Sequence, residues 1–255
     1  MKWKNAIAIV TGAGSGIGHC FVEQLLRGGC RVAAVDKNTN RLEMLAREYT
    51  EHGDALQLQP LDVANEASVR SAFAYLTAHL GVPDILVNNA GVLRDGLLVQ
   101  RDDEGYVRKL PTAQWRSVVE TNLTGPFLLS REFVARRLET GIQGGLIVNI
   151  SSVTSAGNPG QSSYAASKAG LDALTRTWAL ELAFHGIRVI GIAPGLTDTP
   201  MAATLRSAER EDLLAQIPLR RMATVKEIWL GLRFALECDY FNGRVLAIDG
   251  GASFN

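Results

Sequence analysis

Cysteine is scarce in this 255-residue chain and carries no pattern. Cys20, Cys30 and Cys238 form no CxxC pair and leave an odd count, which argues against a disulfide framework and a thiolate metal site. They read as reduced thiols used in packing. Histidine is equally thin. His19, His52, His79 and His185 are scattered and match no zinc spacing, so no metal is expected. Neither sign of charge is in excess, with Lys plus Arg and Asp plus Glu each counting 26. A net charge of zero offers no footprint for nucleic acid or an anionic membrane surface, and neither partner is expected. No apolar run is long enough to cross a bilayer. The N-terminus shows no sequence of charged, apolar and small-residue regions like that of a secretory leader, so a cytoplasmic protein is expected. There is no Gly-Lys-Ser/Thr of an ATP-type phosphate loop and no Gly-x-Ser-x-Gly elbow of a serine hydrolase.

What is present is rhythm. Short apolar runs at 6–11, 31–36, 55–61, 85–88, 145–151, 188–193 and 244–249 read as strands. Their near-continuous apolar character suits parallel strands covered on both faces. Between them, helical patterns run over 17–27, 40–51, 65–80, 114–137, 162–184 and 224–236, the last opened by Thr224 and Glu227 in capping-box spacing. Such alternation predicts an α/β fold: a doubly wound, seven-stranded parallel sheet with helices on both faces, in one domain over 1–255. Two irregular segments interrupt it. Segment 92–112 reads as a loop or hairpin, and 194–222 carries Pro194, Gly195, Pro200 and Pro218 around a short helical pattern. Both follow strands on the carboxyl edge, where ligands of open α/β sheets bind, so they are the expected walls of a substrate pocket.

The first strand runs into Thr11-Gly12-Ala13-Gly14-Ser15-Gly16-Ile17-Gly18, which then opens a helix. Glycines there let backbone approach a pyrophosphate, and the helix N-terminus offers free N–H groups to an anion. Gly12, Ser15, Gly16, Ile17 and Gly18 are therefore candidate cofactor contacts. Asp36 ends the second strand, placed to accept hydrogen bonds from adenosine ribose hydroxyls and to repel a 2′-phosphate. Neither Ser15 nor Val35 supplies a neutralising arginine, so NAD(H) is preferred. NADP(H) stays possible because Lys37 could swing toward a phosphate.

At this point the chain resembles the short-chain dehydrogenase/reductase family, a single-domain Rossmann fold. The motifs that carry the resemblance are Thr11–Gly18, Asp62, Asn88-Asn89-Ala90-Gly91, Asn122, Ser152, Tyr164 with Lys168, Pro194-Gly195 and Asp249-Gly250-Gly251. Within the family it is most similar to the 3-oxoacyl-(acyl-carrier-protein) reductase type, through 157–170, 217–222 and 243–251. The resemblance implies that Asp62 and Val63 meet the adenine, with capping of the next helix as the alternative for Asp62. It implies that Asn89 lies along the cofactor, that Asn88 is structural, and that Pro194, Gly195, Thr197 and Thr199 hold the nicotinamide end. It further implies that Asn122 bends its helix and holds a water beside the lysine, a local kink without a relay being the alternative. A homotetramer is also implied.

Tyr164 and Lys168 are four residues apart, hence on one helical face. A tyrosine of ordinary pKa, about 10, is a poor base at neutral pH. A nearby ammonium and the positive ring of an oxidised nicotinamide are expected to lower it. Tyr164 then gives or takes the proton of a carbonyl/alcohol pair. By resemblance Lys168 also binds the nicotinamide ribose. Ser152 is expected to stabilise the substrate oxyanion, with Ser151 the competing choice.

Two departures from the subgroup stand out. The stretch between Asn89 and Asn122 is longer, with the excess at 97–111, either a solvated hairpin or a gate. Asp36 is the second, since the subgroup more often uses NADP(H). Val153, Thr154, Ala156, Asn158, Leu196, Met201 and Leu205 are the expected pocket lining, and Arg94, Arg206 and Arg221 are candidate clamps for a carboxylate. The expected activity is an NAD(H)-dependent ketone/secondary-alcohol oxidoreductase of the 3-oxoacyl type or a general ketoreductase, acting on a small carbonyl compound. A polyol, sugar or hydroxysteroid dehydrogenase is the alternative. A non-catalytic dinucleotide-binding regulator is the third reading.

Overall fold

Seven parallel strands form the central sheet: β1 (Ile7–Thr11), β2 (Arg31–Asp36), β3 (Leu56–Pro60), β4 (Ile85–Asn88), β7 (Gly145–Ile150), β8 (Ile187–Pro194) and β9 (Val245–Ile248). They lie in the order β3-β2-β1-β4-β7-β8-β9 in a computed structural model that describes residues 3–205 and 207–252. The remaining pair, β5 (Val99–Arg101) and β6 (Val107–Lys109), is a separate antiparallel hairpin. The chain steps outward from β1 to β3, then returns to place β4 on the other side of β1. That reversal opens a crevice at the carboxyl ends of β1 and β4.

The expected alternation is visible in the packing. Along the strands Ala8, Val10, Val32, Ala34, Val87 and Val148 face one core with α1 (Gly16–Arg27), α2 (Thr39–Glu48) and α8 (Val225–Glu237). Ile9, Ala33, Val35, Leu86, Ile147 and Val189 face the other. There they meet α3 (Glu66–Leu80), α5 (Gly125–Glu139) and α6 (Ser162–Leu182). A period of two with both faces buried explains why the strands are apolar throughout.

Helix starts follow side-chain caps. Thr224 and Glu227 form the reciprocal box at the head of α8. Asn38, rather than Asn40, opens α2 by accepting the Arg41 N–H, so that helix begins one residue before its predicted start. It also ends at Glu48 rather than 51, followed by a short 3₁₀ segment at Thr50–Ala55. The predicted helix 114–137 is interrupted. A π-helical turn at Glu120–Thr124 joins α4 (Thr112–Val119) to α5. The helical pattern in 194–222 becomes α7 (Ser207–Gln216).

Under the carboxyl edge a buried polar chain ties α5 and α6 to the sheet. Asn88 Nδ2 donates to Asn149 Oδ1 (2.8 Å) and Ser130 Oγ (3.1 Å). Asn149 Nδ2 donates to Thr175 Oγ1 (2.9 Å), which donates to the Leu171 carbonyl (2.8 Å). Buried amides hold such positions because an unmatched donor costs roughly 1–3 kcal/mol.

Candidate active site

Every predicted site residue except Gly18 and Asn122 lines one cavity of about 590 Å³ at the carboxyl edge. The size suits a small-molecule or cofactor site, for which roughly 300–1,000 Å³ is usual.

At the β1 end the loop is locked by contact. Gly12 has φ +63, a conformation that side chains resist. Thr11 Oγ1 accepts the N–H groups of Asn89 and Ala90, both at 3.0 Å. Asn89 Nδ2 donates to the carbonyls of Thr11 (2.9 Å) and Gly12 (3.2 Å). Gly18 does not line the cavity. A Cβ on it would lie 2.2 Å from the Gly12 carbonyl oxygen, so its bareness lets the first helix seat against the loop. Ser15 stands at the head of α1 without its side chain capping the helix.

The end of the cavity beside β2 carries two carboxylates. Asp36 Oδ2 accepts the Gly14 N–H (3.0 Å) and Oδ1 the Asn38 N–H (2.9 Å), which fixes the carboxylate at the end of β2. Asp62 takes the Lys37 ammonium at 2.5 Å and the Ala64 N–H at 3.1 Å. The lysine bond holds the Asp62 carboxyl below its ordinary range, partly opposed by burial. Lys37, the residue that kept NADP(H) open in sequence, pairs with Asp62 at the surface. Arg41 lines this end as well and was not anticipated. Its signal was the Asn38 cap, which sets Arg41 in the first turn of α2 beside the glycine loop.

The catalytic end gathers from β7 and α6. Ser152 follows β7 and shares a hydrogen bond with Thr154 Oγ1 at 2.9 Å. Ser151 is buried with its hydroxyl unpartnered and lies on the same cavity wall. Tyr164 lines the same cavity, close enough to Ser152 for the serine hydroxyl to favour its phenolate. Lys168 is fully enclosed, its Nζ 5.5 Å from the Tyr164 ring centre and donating to the Ile150 carbonyl at 2.6 Å. Burial pushes the Lys168 pKa down to about 8, and the Asp172 carboxylate opposes it. The Tyr164 phenol moves up, not down. Burial dominates, Ser152 partly offsets it, and the Asp95 carboxylate adds to it. That direction belongs to the chain with no nicotinamide ring beside the phenol.

Asn122 does bend its helix, at the π turn, but its side chain is used up. Oδ1 accepts the Val92 N–H (2.8 Å) and Nδ2 donates to the Val92 carbonyl (2.9 Å). Gly91 separates Asn122 Oδ1 from Lys168 Nζ; a Cβ there would lie 3.4 and 3.8 Å from them. The side chain therefore positions the strand-to-pocket segment. At the nicotinamide end Thr197 Oγ1 donates to the Gly195 carbonyl (2.9 Å) and Thr199 Oγ1 accepts the Ala202 N–H (3.3 Å).

Other expectations need adjusting. Ala156 does not line the cavity, whereas Leu93 and Gln161 do. From 92–112 only Val92, Leu93 and Arg94 reach it. The hairpin itself stands in solvent, with Leu98 at 69% exposure, because an Asp102–Arg108 pair and its own ladder satisfy it away from the pocket. Arg221 is spent on Glu227, which it meets at 2.6 and 2.9 Å. Arg206 lies outside the described residues. Arg94 remains at the mouth, its carbonyl held by Gln114. Among the described residues no cluster of three or more His, Cys, Asp or Glu could hold a metal, and no helix is long and apolar enough to cross a membrane.

A family model for short chain dehydrogenases matches residues 6–210. The chain belongs to the short-chain dehydrogenase family. It is an oxidoreductase of carbonyl and alcohol groups. The chain is 36% identical over 254 residues to a 3-oxoacyl-(acyl-carrier-protein) reductase of Thermotoga maritima, covering 98% of this chain and 99% of that protein. To the Pseudomonas aeruginosa protein of the same description it is 37% identical, covering 98% of each. To nodulation protein G of a Rhizobium species it is 36% identical over 247 residues, covering 96% of this chain and 95% of that protein. Among solved structures it is similar to a 3-ketoacyl-(acyl-carrier-protein) reductase from Brucella melitensis complexed with NADH. The TM-score is 0.86 and the identity 28%, covering 98% of this chain and 99% of that one.

Proposed function

We propose that the chain is one catalytic domain that reduces the ketone of a 3-oxoacyl-type substrate, using NAD(H) in preference to NADP(H). The observation that carries this reading is the convergence of Ser152, a raised Tyr164 phenol and a buried Lys168 on the same cavity as the glycine loop. The glycine cradle fits a dinucleotide, since Gly12 and Gly16 line the cavity with bare backbone at φ +63 and +57. When bound, the nicotinamide supplies a hydride to the carbonyl carbon.

The chain's own residues do the rest. Asp36 accepts from the adenosine ribose, and the loop N–H groups face the pyrophosphate. Ser152 and Tyr164 hydrogen-bond the carbonyl oxygen and polarise it. Tyr164, a phenol whose ordinary pKa is about 10, keeps its proton at neutral pH and delivers it to the developing alkoxide. Lys168 orients the nicotinamide ribose and supplies positive charge beside the phenol. Val153, Leu196, Met201 and Leu205 give the pocket an apolar side suited to an acyl chain, with Arg94 at the mouth for an anionic group.

The test is a spectrophotometric screen of 3-oxoacyl thioesters, simple ketones, sugars and steroids with NADH and NADPH separately. Thioester turnover with NADH supports the reading. Turnover confined to a polyol, sugar or steroid replaces it by the alternative dehydrogenase. Assembly as a homotetramer is part of the proposal. Leu180 on α6 and Phe184 in the 3₁₀ turn that follows it are 84% and 92% exposed, and Leu230 and Phe234 on α8 are exposed too. A solution mass four times the 27.5 kDa chain is expected, and a monomer would rule it out.

A further inference from the structure

Ser152 has one proton to give, and it serves a substrate oxygen only if that proton points into the cavity. A serine hydroxyl carries one proton and two acceptor lone pairs, and the proton rotates to suit its neighbours. Two of those neighbours come from one residue. The Thr154 N–H donates to Ser152 Oγ at 3.2 Å, and Thr154 Oγ1 lies 2.9 Å from the same oxygen. Both contacts are built by the short 3₁₀ turn Val153–Ala156, which Ser152 heads in extended backbone with its side chain turned back as the cap. The Ser155 N–H on the Ser152 carbonyl and the Gly157 N–H on the Thr154 carbonyl, both at 3.0 Å, close the turn.

The hydroxyl pair can run in either direction. If Ser152 donates to Thr154, its proton is engaged and it has nothing to offer a carbonyl oxygen. If Thr154 donates, its O–H and N–H fill both lone pairs of Ser152, and the serine proton is left to face the cavity. Counting acceptors favours the second arrangement. Among the described residues the Thr154 hydroxyl has no other hydrogen-bond partner. The Ser152 proton does have another acceptor, because Tyr164 lines the same cavity close enough for the serine hydroxyl to favour its phenolate. Only when Thr154 donates do both protons meet an acceptor.

We propose that Thr154 is a positioning residue, whose hydroxyl and N–H fill both lone pairs of Ser152 and so turn the serine proton toward the substrate oxygen. This rests on the reading of Ser152 as a donor to that oxygen. Thr154 acts through Ser152 in two ways. It disfavours the rotamer in which the serine proton is turned away. It also polarises the serine O–H, which strengthens the bond donated as negative charge grows on the substrate oxygen.

The test is a double-mutant cycle on Ser152 and Thr154, read as kcat on the carbonyl substrate that the screen identifies, with NADH affinity followed alongside. Thr154→Val keeps the branched shape and the N–H and removes only the hydroxyl. It should lower kcat about five- to ten-fold, the scale of one hydrogen bond, with NADH affinity within about two-fold of the parent. Thr154→Ser keeps a hydroxyl and should restore most of the rate. In a Ser152→Ala background, Thr154→Val should change kcat by less than about two-fold, because no serine proton is left to direct. An equal fall in both backgrounds overturns the proposal, since Thr154 would then act on the substrate or the fold by itself. A Thr154→Val protein with kcat within about two-fold of the parent overturns it too. So does a faster one, which is what releasing a serine proton engaged by Thr154 would give. If Ser152→Ala itself stays within about ten-fold of the parent, the role of Ser152 falls and the inference falls with it.

Discussion

A single methyl group at Gly18 tests whether the glycine loop is held by contact. The residue is not in the left-handed region, so Gly18→Ala introduces no backbone strain and acts through space alone. The new Cβ would lie 2.2 Å from the Gly12 carbonyl oxygen and 2.5 Å from Asn89 Nδ2. Neither neighbour is free to retreat. Asn89 Nδ2 is bound to the Thr11 and Gly12 carbonyls, and the Thr11 hydroxyl pins the Asn89 and Ala90 N–H groups. Ordinary contact requires the loop and α1 to separate by on the order of 1 Å, an overpacking that costs roughly 1–3 kcal/mol. For a chain of this size each kcal/mol lowers Tm by roughly 2–4 °C, so a drop between about 2 and 12 °C is expected. The loop N–H groups would shift with it, and NADH affinity should fall about ten-fold or more. Melting curves and an NADH fluorescence titration measure both. Gly53→Ala is the control. Its φ is +49 with nothing within 4 Å, so it carries only backbone strain of about 1 kcal/mol and leaves NADH binding alone. A Gly18→Ala protein that melts within about 1 °C of the parent and binds NADH equally well would refute the reasoning.

Three further outcomes follow from the same geometry. Asn149→Ala leaves one Asn88 amide proton without its acceptor and takes a donor from the Thr175 hydroxyl, and should cost roughly 1–3 kcal/mol in urea unfolding; a loss under about 0.5 kcal/mol would contradict the buried chain. A lysine lowered to about 8 loses its charge as pH rises through that value, so kcat/KM for NADH should fall on an alkaline limb near 8. A profile flat to pH 10 would remove Lys168 from that role. Ser152→Ala removes one donor to the carbonyl oxygen and should lower kcat about 10²–10³-fold with little change in NADH affinity; a ten-fold or smaller effect would move the role to Ser151.

Much of this was legible because it is local. Strands buried on both faces must be apolar at every position, so each predicted strand meets an observed one with ends shifted by a residue or two at most. The glycine loop and the Tyr164–Lys168 spacing are likewise local patterns. What escaped depends on which groups bond to which, near or far along the chain. Arg41 enters the cavity because Asn38, not Asn40, caps α2. The direction of the Tyr164 shift depends on how deeply α6 is packed against the end of β7, which no spacing reveals. The π turn arises where Asn122 reaches across to both polar groups of Val92, 30 residues away. Segment 92–112 follows a strand on the carboxyl edge, which suggests a wall, yet the ladder of the hairpin within it and its Asp102–Arg108 pair close that part on itself.

The most direct measurement is Tyr164→Phe assayed on a 3-oxoacyl thioester, with NADH binding followed separately. The substitution keeps the ring and removes only the hydroxyl that gives the proton. The account predicts a fall in kcat of about 10²–10⁴-fold with NADH affinity within about three-fold of the parent. Turnover within ten-fold of the parent would contradict the account, because the proton would then come from elsewhere.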